Sequence, residues 1–254
     1  MTGPIFDPAR LGPPPGARVA VVGGCGGMGR QLVRALLQTG VSVAVLDLSS
    51  SMVQNPPPSQ VLAIDMDGSD EASVATAFDI LGQHWPALDG FVNLAGFFKG
   101  WQPIAELSVA IFDEIIAGNL RCHFLCARAA LPMLHRSDNG AMVSVASTMA
   151  VDVVKGYTHY GAAKAGLHAL TLAMAREYAP KVRVNCIMPG AVPTEIMMTA
   201  MKLEDNDLPA LEKRLRLPMR RLGTPDDLGQ AVLYFVSPAS SWVTAQILSV
   251  DGGM

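Results

Sequence analysis

Val19-Ala20-Val21-Val22-Gly23-Gly24-Cys25-Gly26-Gly27-Met28-Gly29 is the stretch that decides the fold of this chain. A short apolar run rich in valine reads as a strand buried on both faces. It enters a turn with five glycines in seven residues. Glycines there let the backbone turn tightly and approach a pyrophosphate, while the helix that follows aims its amides at the anion. A strand, a glycine turn and a helix in that order predict the first unit of a dinucleotide-binding sheet.

The same alternation continues outward. Val41–Leu46, Val61–Ile64, Phe91–Leu94, Ala141–Val145 and Val182–Ile187 are short strand-like segments, and Ile247–Val250 closes the chain. Helical patterns fill the spaces at 28–39, 70–82, 112–136 and 157–178. Such βαβα order predicts an α/β single-domain, Rossmann-like, doubly wound parallel sheet of about seven strands, with helices on both faces. Pro56-Pro57-Pro58 should shorten or abolish the helix between the second and third strands. Residues 1–17, with Pro13-Pro14-Pro15, read as an N-terminal arm outside the core. A dinucleotide-binding domain would then occupy 18–254.

Composition removes several function classes. Half of the 254 residues are hydrophobic and 16% are charged, which suits one large core. A net charge of −3 gives no electrostatic reason to expect nucleic acid or an anionic membrane as partner. No apolar run approaches the roughly 18 residues a membrane span needs. The N-terminus shows no basic start followed by an apolar stretch, so no secretory signal is expected. Cys25, Cys122, Cys126 and Cys186 form no CxxC pair and read as reduced thiols, which points to a cytoplasmic protein. Cys122 and Cys126 are four apart beside His123, yet nothing completes a ligand set, so core packing is expected and no metal.

Two features carry the chemistry. Asp47, at the end of the second strand, stands where an acid would bond a ribose 2′-hydroxyl, and it would repel a 2′-phosphate. No arginine or lysine lies at 47–52 to receive such a phosphate, so the cofactor is read as NAD. Tyr160 and Lys164 are four apart on the helix expected over 157–178 and share one face. A neighbouring ammonium favours phenolate, so Tyr160 is expected to have a depressed pKa and to exchange protons near neutral pH. His159 points about 100° away from Tyr160 and is given no catalytic part. Lys155 and His159 could bind an anionic group, but read more simply as solvated loop residues.

Over residues 16–253 the sequence resembles the short-chain dehydrogenases/reductases. Their glycine motif is matched by Val22–Gly29, with Val22 in place of a threonine. Their Asn-Asn-Ala-Gly motif is matched by Asn93-Leu94-Ala95-Gly96, with the second asparagine lost. Asn119 falls at the family's catalytic asparagine. Ser147 stands thirteen residues before Tyr160, and Lys164 completes the tetrad. Pro189–Thr194 resembles the segment that holds the nicotinamide carboxamide, and Val250-Asp251-Gly252-Gly253 the closing motif.

The resemblance implies a catalytic set of Asn119, Ser147, Tyr160 and Lys164. It implies a cofactor set of Gly23, Gly27, Met28, Gly29 and Asp47, then Asp65, Met66, Asn93, Ala95 and Gly96. Tyr160, Lys164, Pro189, Gly190, Val192 and Thr194 complete that set. Tyr160 would act as general acid/base, Ser147 would hold the substrate oxygen, and Lys164 would bond the nicotinamide ribose. Asn119 would anchor a water leading to solvent.

The segments that form the family's pocket hold Phe97, Met149, Val154, Tyr157, Met197 and Met198, together with Phe98, Trp101, Val151, Val153, Ile196 and Met201. The resemblance implies that 18–254 is a catalytic domain with a substrate lid at about 194–220, and these residues suggest an apolar site under a methionine-rich cover, taking a mainly hydrophobic secondary alcohol or ketone. The alternatives are an NADPH-dependent carbonyl or 3-oxoacyl reductase and, from another class, a non-catalytic dinucleotide-sensing protein. Family members pair the helices near 112–136 and 157–178, which implies a homotetramer or homodimer. Phe124, Leu125, Leu131, Leu167, Leu170 and Leu172 are the apolar residues expected to serve that contact.

Overall fold

The computed structural model describes residues 7–254, without the side chains of Pro8, Ile196 and Ala200. Seven parallel strands lie in the order β3-β2-β1-β4-β5-β6-β7. They are β1 (Arg18–Val22), β2 (Ser42–Asp47), β3 (Leu62–Asp65), β4 (Gly90–Asn93), β5 (Gly140–Val145), β6 (Val182–Pro189) and β7 (Ile247–Val250). The chain leaves β1 toward β2 on one side and returns to β4 on the other. That reversal is where ligands bind beyond the strand carboxyl ends of such sheets.

Alternation along the strands feeds two cores. Ala20 and Val22 of β1 turn to one face, with α3 (Glu71–His84), α5 (Cys122–His135) and α6 (Thr158–Tyr178). Val19 and Val21 turn to the other, against α1 (Gly27–Gln38) and α9 (Pro225–Val236). Because both faces are covered, the inner strands are apolar at nearly every position, which is why they read as continuous runs. The three prolines leave only a six-residue helix between β2 and β3, α2 (Ser49–Gln54).

The expected helix at 112–136 is α4 (Val109–Ile116) joined to α5 through a π-helical turn at Ala117–Arg121. The region expected to form a lid, 194–220, holds α7 (Glu195–Met201) and α8 (Leu208–Leu215). Residues 1–6 of the expected arm lie outside the described residues. The rest is docked: the Arg10 guanidinium donates to the Pro238 carbonyl at 3.0 Å, and Ser42 N–H donates to Ala17 O at 2.8 Å. Among the described residues no helix is long and apolar enough to cross a membrane.

Buried Arg183 on β6 ties the sheet to the end of α9. Its guanidinium donates to Phe235 O at 2.8 Å, Ser240 Oγ at 2.6 Å and Ser237 O at 3.3 Å. Burial lowers its pKa to about 10, so it remains a cation at neutral pH. Arg183→Met should lower unfolding free energy by about 2 kcal/mol, because helix-end carbonyls lose their donor. Denaturant titration would read this, and an unmoved midpoint would refute it.

Three of the leucines expected to serve subunit contact are instead core. Leu125, Leu131 and Leu167 are buried within the protomer, Leu170 and Leu172 are half-buried, and Phe124 alone of the six is exposed, at 46%. The inward faces of α5 and α6 take up those leucines against the sheet.

Candidate active site

The glycine turn is built for close approach. Gly23 has φ +78°, a conformation that disfavours a side chain, and it packs against the backbone of Leu94 and Ala95. A Cβ on Gly29 would lie 2.1 Å from Gly23 O, so the helix can sit against the turn only with glycine there. The α1 N-terminus has Gly26 as N-cap, no side-chain cap and no acid in its first turn. Its amides are therefore available to an anion. Asp47 accepts from Cys25 N–H through Oδ2 and from Leu48 N–H through Oδ1, both at 2.8 Å. Both bonds fix the carboxylate beside the turn. This uncapped cradle next to a fixed acid fits a dinucleotide.

Asp65 pairs in register with Asp47 across β2 and β3, and its Oδ1 accepts from Ser49 N–H at 2.8 Å. Met66 points into the core and gives its amide to Asp47 O at 2.8 Å. Its service to a nucleotide would be to hold Asp65 in place. Asn93 Oδ1 accepts from Ala95 N–H at 2.9 Å, and His123 Nε2 meets Ala95 O at 2.9 Å. A carbonyl only accepts, so His123 carries its proton on Nε2. Burial lowers the His123 pKa to about 3, which keeps the ring neutral. His123 thereby braces this loop, a role that no motif around it signals.

Lys164 is 3% exposed and donates to Val145 O at 3.0 Å, with Nζ 5.6 Å from the Tyr160 ring centre. Ser147 Oγ accepts from Met149 N–H at 3.2 Å, which leaves its own proton to donate elsewhere. Asn119 sits in the π-helical turn, a form that recurs at functional sites. Its Nδ2 donates to Phe97 O at 2.7 Å and Ile115 O at 3.0 Å, while its Oδ1 is buried without a partner among the described residues. That oxygen and Lys164 Nζ both lie within 3.0 Å of where a Cβ on Gly96 would be. Asn119 Oδ1 and Lys164 Nζ thus both face Gly96.

The expected depression of the Tyr160 pKa is not found. Burial pushes the phenol up to about 12, and a hydrogen bond with Ser147 opposes this only in part. Lys164 is itself pulled down to about 8 by burial, with the Cys186 and Cys122 thiols pulling the other way. The ammonium bonds a carbonyl rather than the phenol, so desolvation outweighs attraction here.

A cavity of about 620 Å³ opens beyond the carboxyl ends of β4, β5 and β6. It brings together Ser147, Tyr160 and Lys164 with Met28, Gly96, Pro189, Gly190, Val192 and Thr194. Phe97, Met149, Val154, Tyr157 and Met197 also line it, together with Phe98 and Met201. Phe98 packs on Tyr160 with ring centres 5.5 Å apart. Met198 does not line it, because one residue along α7 turns a side chain about 100° from Met197. Val151 and Val153 are exposed, and Trp101 packs against Gly156. The Ile196 side chain lies outside the described residues. Leu211, Arg214, Leu215 and Met254 also line the cavity, the first three on α8 and the last directly after the Val250–Gly253 stretch.

Other expectations resolve on the same ground. His159 is fully buried rather than solvated: α6 begins at Thr158 and turns the ring inward, where Nε2 meets Lys99 O at 3.4 Å. Lys155 is exposed. Cys122 and Cys126 are buried, with Gly68 close over Cys122, and among the described residues no three His, Cys, Asp or Glu side chains are grouped as metal ligands would be. Burial and the Asp47 carboxylate raise Cys25 to about 11, which leaves it an inert thiol. Arg30 was not anticipated. It hydrogen-bonds Asn55 at the end of α2 and is near enough to pull the Cys25 pKa down against that rise.

A family model described as enoyl-(acyl carrier protein) reductase matches residues 23–254. Levodione reductase of Leifsonia aquatica is 30% identical over 247 residues, 92% of each chain. 4-Formylbenzenesulfonate dehydrogenase of Comamonas testosteroni is 34% identical over 246 residues, 93% of this chain and 97% of that one. A crystal structure of levodione reductase superposes with a TM-score of 0.85 at 29% identity, covering 94% of this chain and 98% of the other. The chain therefore belongs to the short-chain dehydrogenase/reductase family of nicotinamide-dependent oxidoreductases.

Proposed function

We propose that this protein is an NAD-dependent alcohol dehydrogenase or ketone reductase acting on a mainly hydrophobic secondary alcohol or its ketone. The observation that carries the reading is one cavity, lined by aromatic and methionine side chains, whose wall includes Ser147, Tyr160 and Lys164 beside Gly190 and Thr194. The bound nicotinamide supplies the site that gives or accepts hydride. Ser147, its Oγ fixed by Met149 N–H, donates to the substrate oxygen where charge develops. Tyr160 gives its proton to that oxygen in reduction and takes it back in oxidation. At neutral pH the phenol is protonated and ready for reduction; oxidation needs added positive charge nearby to favour phenolate. A water held between the unpartnered Asn119 Oδ1 and Lys164 would pass protons to solvent.

Asp47 would bond the adenosine ribose and favour NAD over NADP. The runner-up is an NADPH-dependent carbonyl or 3-oxoacyl reductase, favoured by Arg30, a cation on α1 close to the same corner. Asp47→Ala should weaken NADH binding about tenfold and narrow the preference over NADPH. A wild-type enzyme that binds NADPH more tightly than NADH would instead support the runner-up. The subunit is proposed to assemble as a homotetramer or homodimer, supported by exposed Phe112 and Phe124 on α4 and α5. A cytoplasmic location is supported by four buried, unpaired cysteines.

A further inference from the structure

Arg214 stands out because, among the described residues, it is the one exposed charged side chain that lines the active-site cavity. Lys164 is the second cationic side chain lining it, and no Asp or Glu side chain does. Leu211, Arg214 and Leu215 lie at i, i+3 and i+4 on α8, so one face of this lid helix turns toward the cavity. Lys164 is buried and already donates to Val145 O. Arg214 has no hydrogen-bond or ion-pair partner among the described residues, unlike Arg221, which binds Asp227. The same cavity is lined by Ser147 and Tyr160 and by the apolar side chains of Phe97, Met149, Val154 and Met197.

We infer that the substrate is amphiphilic, with an oxoacid anion at the end remote from its reacting carbon, and that Arg214 is the residue selecting it. This rests on the oxidoreductase reading above and narrows its substrate class. A guanidinium fork matches the paired oxygens of a carboxylate or sulfonate, and the apolar wall would accept a ring or short chain between the two polar ends. A solvated arginine on a basic helix end would show no such preference.

The test uses para-acetylbenzoate, para-acetylbenzenesulfonate and the neutral methyl ester of the acid. Calorimetry on the full-length protein without cofactor should show either anion binding about tenfold or more tighter than the ester. In Arg214→Met the ratio should fall to about one, and Arg214→Lys should restore only part of it. The relative response of the two anions tells which oxoacid the site prefers. NADH affinity should stay within about twofold in both variants. Equal binding of acid and ester, or an acid preference that survives Arg214→Met, overturns the inference. So does a loss of NADH affinity in the variant, which would make Arg214 a cofactor anchor. Turnover with NADH separates the two readings. Ester reduced as well as acid by wild type, with no effect of Arg214→Met, sinks the inference and leaves the oxidoreductase standing. Anion binding that depends on Arg214 without turnover of any ketone supports the inference and counts against the oxidoreductase reading.

Discussion

Tyr160→Phe should lower turnover by about a thousandfold in either direction while leaving NADH affinity within about twofold of wild type. The variant removes one oxygen from a ring otherwise held by Phe98, so the cavity keeps its shape and loses its proton donor. Ser147 still holds the substrate oxygen, which is why some activity should survive rather than none. The wild-type pH profile carries a second signature. With the phenol pushed up to about 12 before ligands bind, oxidation should accelerate as pH rises, because phenolate is the base. Reduction should be largely insensitive to pH across neutrality. Normal turnover in the phenylalanine variant would eliminate Tyr160 as the proton-transfer group.

Lys164→Met should be nearly inactive and yet more stable than wild type at neutral pH. Burial lowers the Lys164 pKa from 10.5 to about 8. Below about pH 8 the folded protein therefore carries a buried charge that the unfolded chain keeps in water. Between pH 8 and 10.5 the unfolded chain binds a proton that the folded one has released, so stability rises with pH across that window. A shift of this size corresponds to about 3 kcal/mol of destabilisation at neutral pH. Methionine has similar length and no charge, but it forfeits the bond to Val145 O, so the net gain should be about 2 kcal/mol. Urea titration should show a higher midpoint for the variant at neutral pH, with the difference shrinking toward alkaline pH. A variant less stable at every pH would mean that the hydrogen bond outweighs the buried charge.

What could be read in the sequence was whatever is written in local pattern. The valine-rich runs gave the sheet because buried parallel strands show no polar face. Gly23–Gly29 gave the turn because few other sequences can make it. The four-residue spacing of Tyr160 and Lys164 placed them on one helix face, and Pro56–Pro58 foretold the short α2. Quantities set by burial were not legible. A neighbouring ammonium argues for an acidic phenol, yet in the folded protein desolvation dominates both partners. His159 looked solvated by its chemistry and is buried by its place at the start of α6. The π-helical turn at Asn119 has no sequence signature, and the leucines of α5 and α6 could not be divided between core and interface before the sheet was in place. Arg214 joins the cavity through the tertiary packing of α8, which no motif records.

The central claim is that hydride leaves or reaches a substrate carbon in this cavity while Tyr160 moves the proton. The most direct measurement follows deuterium from the carbinol carbon of an apolar secondary alcohol to NAD, read by mass spectrometry of the nicotinamide, in wild type and in Tyr160→Phe. The account predicts labelled cofactor from the wild-type protein and about a thousandfold less in the variant. Equal labelling by the two proteins, or none by wild type across a broad alcohol panel, would contradict it.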